Sequence, residues 1–288
     1  MTTFDTFIDQ AWADHGDRPE EVAARLEQGY ALLESPAQIA PFARILAHVD
    51  GEHLARWKEG VVRLERLRAH EHWRDDAESV TLVRRLQTAL RIGAGEAPAL
   101  ELGAADRAHA HAVAASALAA QSRLPDALGH FRAALHAAAH GLPQADPAIR
   151  ALAVMSNNLA STLEERTSRS ADETAAMLGA ARASREYWAR AGGWIEVERA
   201  EYMLAKCHLA AGDAGAGLGH AERCVAICDE HDADAFERFF AESVRAEAQR
   251  ALGDVKAFGA TKAAALAHYQ SLPAEQQKWC ETTLRRLA

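Results

Sequence analysis

Cysteine is scarce in this chain, with four residues in 288. That is too few for a disulfide scaffold at this length and points to a reducing cytoplasm. Runs rich in Val, Ile and Thr are nearly absent, which argues against a sheet-based fold. No stretch is long and apolar enough to span a bilayer. The opening residues Met1 to Gln10 carry acids and no long apolar run, so they do not read as a signal peptide. Basic charge is not in surplus: 32 Lys and Arg face 41 Asp and Glu, a net of −9. The charge is spread evenly, −5 over residues 1–144 and −4 over the rest, unlike the basic footprint of a nucleic-acid binder. The densest basic stretch (Arg56, Lys58, Arg63, Arg66, Arg68, Arg74) is interleaved with Glu59, Glu65 and Glu71 at helical pairing distances, and so reads as a solvated helix face. There is no glycine-rich phosphate loop, no Gly-x-Ser-x-Gly elbow and no paired-cysteine motif. No residue is nominated as catalytic, and no cofactor is expected.

What the chain does have is alanine, the best intrinsic helix former, and clear helix punctuation. Ser35-Pro36-Ala37-Gln38 and Ser170-Ala-Asp-Glu173 are capping boxes, and Asp146-Pro147 is a cap followed by a first-turn proline. Gly141 and Gly192-Gly193 mark helix ends. Between these signals the apolar spacing is helical: Ala127, Leu128, Phe131, Ala134, Leu135 and Ala138 share one face. The expected spans are 3–14, 19–34, 36–49, 52–71, 77–93, 104–121, 125–140, 147–166, 171–191, 194–211, 214–230, 233–252, 254–271 and 273–287. Turns are expected at Asp17-Arg18-Pro19-Glu20 and Asp50-Gly51-Glu52, and Asp75-Asp76 and Glu164-Glu165 are read as solvated helix ends. The fold class is all-α.

Two phrases repeat. Leu209-Ala-Ala-Gly212-Asp213 and Arg250-Ala-Leu-Gly253-Asp254 place Gly-Asp pairs 41 residues apart. Glycine ends one helix in the left-handed conformation and the aspartate caps the next. A helix-turn-helix unit at such a period signals an α-solenoid, here a right-handed superhelix of antiparallel helix pairs. The expected organisation is degenerate helix pairs over 1–92, an irregular connector with Gly93, Gly95, Pro98 and Gly103 over 93–106, and repeats over 107–288 ending in a capping helix.

The repeats resemble tetratricopeptide repeats. Ala115 with Ala127, Phe131 and Ala134 fits the first- and second-helix pattern. So do Asn157-Asn158-Leu159-Ala160 with Ala176, Ala180 and Ala183; Leu204-Ala205 with Gly217, Ala221 and Cys224; and Ala246 with Phe258 and Ala265. The equivalent positions Ala127, Ala176, Gly217 and Phe258 are 49, 41 and 41 residues apart, longer than the family's usual period of about 34. In this the chain is similar to the long-helix arrays of kinesin light chains, Rap phosphatases and MalT-like activators. Armadillo or HEAT repeats are the structural alternative. Ala127, Phe131, Leu159, Ala160, Leu204, Ala205 and Ala221 are expected in the core.

The resemblance implies that first helices line a concave groove for a protein or peptide. It turns His109, Ser116, Asn157, Ser161, Glu164, Tyr202, Lys206, Ser243, Glu247 and Arg250 towards that groove. The binding set chosen is Asn157, Ser161, Glu164, Tyr202, Lys206, Glu247 and Arg250, with Asn157 foremost because an amide can both donate and accept. His220, Cys224 and Cys228 form a stripe at four-residue spacing, with Cys207-His208 on the preceding helix and His231 beyond. These types can ligate zinc, but Cys224 falls on a repeat core position and close-spaced ligand pairs are missing, so the stripe reads as packing and no metal is expected. His136 and His140 lie one turn apart without a zincin motif, while His70/His72 and His109/His111 cannot share a helix face. The expected function is a cytoplasmic scaffold binding a protein or peptide segment, with no nucleic-acid or membrane partner. The alternatives are a ligand- or peptide-responsive regulatory sensor and a helical enzyme with an unrecognised site.

Overall fold

The computed structural model describes residues 3–75, 77–97 and 102–288. Among these residues the chain forms fourteen α-helices and no strand. Pro98 of the expected connector and Asp76 lie outside the described residues. The helices group into two compact units, Met1–Met155 and Ser156–Ala288. Among the described residues, no helix is long and apolar enough to cross a membrane.

The first unit holds α1 (Phe4–Asp14), α2 (Pro19–Gly29), α3 (Ile39–His48), α4 (Trp57–Arg68), α5 (Ala77–Gly93), α6 (Ala104–Ala120) and α7 (Leu124–Ala138). Its core forms where the apolar face of α3 meets its neighbours: Phe42, Ile45 and Leu46 are fully buried among Leu26, Leu64, Leu67 and Val83. Helices α5, α6 and α7 then pack in succession. The Ala-rich stripe of α6 permits that close approach, and Ala108, Ala112 and Ala115 are all buried.

Helix α8 (Pro147–Glu164) runs through the boundary between the units. The second unit continues with α9 (Ala171–Ala191), α10 (Trp194–Ala210), α11 (Ala214–Glu230), α12 (Ala235–Ala251), α13 (Val255–Ser271) and α14 (Ala274–Leu287). From α9 to α13 each helix packs on the next, and α10 also touches α12. Consecutive pairs therefore stack, as a solenoid requires. Every residue expected in the core, from Ala127 to Ala221, is buried.

The Gly-Asp phrase works as its chemistry dictates. Gly212 and Gly253 take φ of 81° and 79°, the left-handed region that a side chain disfavours. The next residue's N–H reaches back, Asp213 to the His208 carbonyl at 2.9 Å and Asp254 to that of Gln249 at 3.0 Å. Each aspartate then accepts a bond from the new helix, Asp213 from Ala216 N–H and Asp254 from Ala257 N–H. Ser122 and Asp232 make the same left-handed turn without glycine.

One boundary differs from expectation. Asp50-Gly51-Glu52 is not a turn between helices. It belongs to a π turn, Val49–His53, that continues α3 and closes with Leu54 N–H donating to the Val49 carbonyl at 3.1 Å. The chain breaks afterwards, at Ala55 with φ 51°, so α4 begins at Trp57 and not at residue 52. The cause is tertiary: Asp50 is fully buried and accepts from Arg63 at 2.8 Å, which pins the turn inside the core.

Candidate partner-binding face

Helices α8, α10 and α12 each end with polar residues one turn apart. Packing in the second unit converges several of them. The Lys206 ammonium on α10 lies 2.8 Å from Glu164 Oε2 at the end of α8. That oxygen has no aligned hydrogen bond, so the pair is held by charge. Both side chains are largely buried, at 13% and 7% exposure, where the low dielectric strengthens the attraction and raises the desolvation cost together. One turn earlier, Tyr202 packs edge-on against Phe240 of α12 at 5.8 Å, and Lys206 lies 5.9 Å over the Tyr202 ring. Burial pushes the Tyr202 hydroxyl well above its ordinary range.

From α12, Glu247 joins this group. Burial raises its carboxyl pKa, against the pull of Arg286, Lys206 and Arg250, while neighbouring Glu164 adds to the rise. Two carboxylates and three cations thus share one partly desolvated patch.

That patch is not an open groove, because α14 lies against α12. Cys280 and Leu287 on α14 are buried with Phe239, Ala246 and Ala265, so an apolar stripe seats the helix. Its polar residues reach the patch: Arg286 Nη1 is 3.4 Å from Glu164 Oε1, and Thr283 lies near enough to the Tyr202 hydroxyl to oppose part of the rise that burial causes. Arg250 donates to the Arg286 carbonyl at 2.6 Å, a cation at a helix C-terminus where the macrodipole favours it. Four expected residues, Glu164, Tyr202, Lys206 and Glu247, therefore converge, and Arg250 holds the covering helix.

The other expected residues stand apart. Asn157 is half-buried seven residues before Glu164, about 10 Å along the helix. Ser161 donates to Glu165 at 3.3 Å. His109, Ser116 and Ser243 face interiors and not a groove: each is buried because its helix packs on more than one side, and Ser243 donates to the Phe239 carbonyl within its own helix. Arg286 and Thr283 were not legible as site residues. Their only sequence signal was an amphipathic final helix, which says nothing about which face it covers.

The cysteine-histidine stripe does not form a ligand set. The Cys224 thiol donates to the Glu198 carbonyl at 3.2 Å, and His220 bonds to Glu201 at 2.7 Å. Cys207 and Cys228 are buried, and burial pushes both thiols up to about 12, which disfavours the thiolate that zinc requires. Among the described residues the side chains arranged to share a metal ion are instead His15, His48 and His53 in the first unit.

Compared with known proteins, the chain matches no protein-family model and no curated protein sequence.

Proposed function

We propose that this chain is a cytoplasmic helical-repeat scaffold of the tetratricopeptide type, its pairs wound into a right-handed superhelix, that binds a helical segment of a partner protein. The binding surface is the first-helix face of α10 and α12 with the end of α8. The observation that carries the reading is α14 itself, a helix seated on that face by an apolar stripe and tied by Arg286 and Arg250. An amphipathic helix laid in a groove is a recurring mode of recognition, with apolar anchors supplying affinity and charged neighbours fixing register. Glu164, Lys206 and Glu247 supply those charges here. The same contact favours a second reading within this one: α14 regulates the scaffold by occupying the surface a partner needs, so binding is a competition between two helices.

The test uses a chain ending at Leu272, checked for folding by circular dichroism, and a labelled peptide spanning Pro273–Ala288. The truncated chain should bind the peptide, measured by fluorescence anisotropy, and the full chain should bind it at least about tenfold more weakly. Lys206→Ala with Tyr202→Ala should weaken binding by about tenfold, on the scale of 1.4 kcal/mol per decade. A folded truncated chain that ignores the peptide would place the binding surface elsewhere.

A further inference from the structure

The first unit brings together two imidazoles five residues apart and a third from 33 residues earlier in the chain. His15 follows α1, His48 ends α3, and His53 ends the π turn. Their ring centroids form a near-equilateral triangle with sides of 4.9, 4.9 and 5.0 Å. One ligand atom from each lies within 4.8 Å of the other two, and all three residues are half-buried. The π turn makes this possible. In an α-helix, residues five apart are displaced by about 140° around the axis. A wider turn that closes i→i+5 brings the fifth residue back over the first, and such turns are frequent at functional sites.

The acceptors beside each Nδ1 set the tautomers. His15 Nδ1 faces the Trp12 carbonyl at 2.5 Å, and His48 Nδ1 faces Glu52 Oε2 at 3.3 Å. A carbonyl and a carboxylate can only accept, so in the neutral form of each ring Nδ1 carries the proton and Nε2 is bare. Metal-bound histidines are held in this way, the far nitrogen donating to a carbonyl or carboxylate. His48 Nε2 and His53 Nε2 are 3.2 Å apart. Zinc–nitrogen bonds of about 2.0–2.1 Å at a tetrahedral angle put two ligand nitrogens about 3.3–3.4 Å apart. Without an ion, a single N–H···N bond links these two rings.

The support around the rings is fixed by the fold. Gly51 lets the turn approach its neighbours: a Cβ there would lie 2.9 Å from Leu90 and 3.3 Å from Trp57. Glu52 is held from two directions, its carboxylate 3.4 Å from the Ser116 hydroxyl and its carbonyl accepting from Gln121 at 2.7 Å. The carboxylate that orients His48 is therefore positioned by α6, not by its own turn alone.

We propose that His15, His48 and His53 bind one Zn(II) ion through three imidazole nitrogens, with water in the fourth position and Glu52 orienting His48. Three neutral imidazoles suit zinc among the divalent first-row ions, and three protein ligands leave one position open to exchange. The ion ties the end of α1 to the end of α3, a long-range crosslink in a unit with no disulfide.

The test takes the untagged full chain, stripped with chelator and dialysed, and titrates it with Zn(II) against a chromophoric competitor. One equivalent should bind per chain. His48→Ala and His53→Ala should each weaken binding by at least about tenfold, and Glu52→Gln by about tenfold although it removes no ligand. His136→Ala, at an exposed histidine pair, should change nothing. Co(II) added to the wild-type chain should give the intense visible absorption of a four-coordinate site, a reading that needs no variant to fold. Absence of stoichiometric binding, a weak six-coordinate Co(II) spectrum, or affinity unchanged in folded His48→Ala/His53→Ala protein would overturn the assignment.

Discussion

The groups that burial shifts furthest are of opposite kinds in the two units. Ten of the fourteen histidines lie in residues 1–155, and all four cysteines lie in residues 156–288. In the first unit, burial pushes His109 down to about 3 and His111 down to about 4, the latter helped by neighbouring His130. In the second, burial pushes Glu198 up to about 7, with Glu237 contributing, and raises Glu242 as well. One rule covers both: a low-dielectric interior disfavours charge. Each unit buries both kinds, Asp50 in the first and His208 in the second, but the base and the carboxylic acid shifted furthest lie in different units and respond to pH in opposite directions. Packing of the same Ala-rich helices thus leaves the acid–base behaviour to whichever polar residue occupies an interior position.

The largest expected effect is in acid. An unfolded histidine takes up its proton near pH 6.5, whereas folded His109 refuses it down to about pH 3. Stability from neutral His109 is therefore present above pH 6.5 and lost as pH falls from 6.5 through 3, by at most about 5 kcal/mol at 1.36 kcal/mol per unit. Urea unfolding of the wild-type chain and His109→Leu across this range should show a much flatter acid limb in the variant. An identical acid limb would mean that other groups carry it. His109 also lies near Arg85, Arg44, Asp106 and Asp146, and Arg85 is itself bonded to both aspartates. Against the upward push of burial, the Arg85 bond holds the Asp146 carboxyl below its ordinary range, so Asp146 should account for part of the remaining slope.

Next comes the core of the first unit. Phe131→Ala should cost about 3–5 kcal/mol, from lost transfer energy and the cavity left behind. Phe131 is only 5% exposed on α7. Hydrogen exchange should show protection lost over α6 and α7 while α10 to α13 keep theirs. Equal loss in both regions would show that the contrast between the units does not extend to their stability.

The smallest of the three effects has the opposite sign and is complete by about neutral pH. Unfolded Glu198 releases its proton near pH 4.5, but the folded chain keeps it to about pH 7. Rising pH through this window favours unfolding, by about 3 kcal/mol in all. Glu198 is 1% exposed and its Oε1 has no hydrogen-bond partner, so Glu198→Gln removes the charge that must otherwise be buried. The variant should unfold at higher urea than wild type at pH 8.5 and close to wild type at pH 5. Parallel curves at both pH values would contradict the burial argument.

Much of the fold was legible because it is written locally. The box at Ser170 and Glu173 forms in both directions, at 3.1 and 2.7 Å. Asp146 accepts from Ala148 N–H at 2.8 Å, beside the proline that starts α8. The site was legible only in part. Glu164, Lys206 and Glu247 recur 42 and 41 residues apart, and it was the resemblance to tetratricopeptide repeats that implied one face for them and for Tyr202. Arg286 and Thr283 arrive from α14, whose docking depends on the complementary surface of α12.

The sequence by itself determined the helices, their order, the Gly-Asp turns and the small-residue core, because helix propensity, capping and apolar period act within a few residues of chain. Tertiary structure alone decided where buried polar groups meet. His48 and His53 fall on different faces under α-helical periodicity, and only the core packing of Asp50 and Gly51 widens the turn that aligns them. His15 joins them from a position 33 residues before His48. Glu164 meets Arg286 across 122 residues. Such meetings depend on the direction in which whole helices pack, and no window of sequence contains both partners.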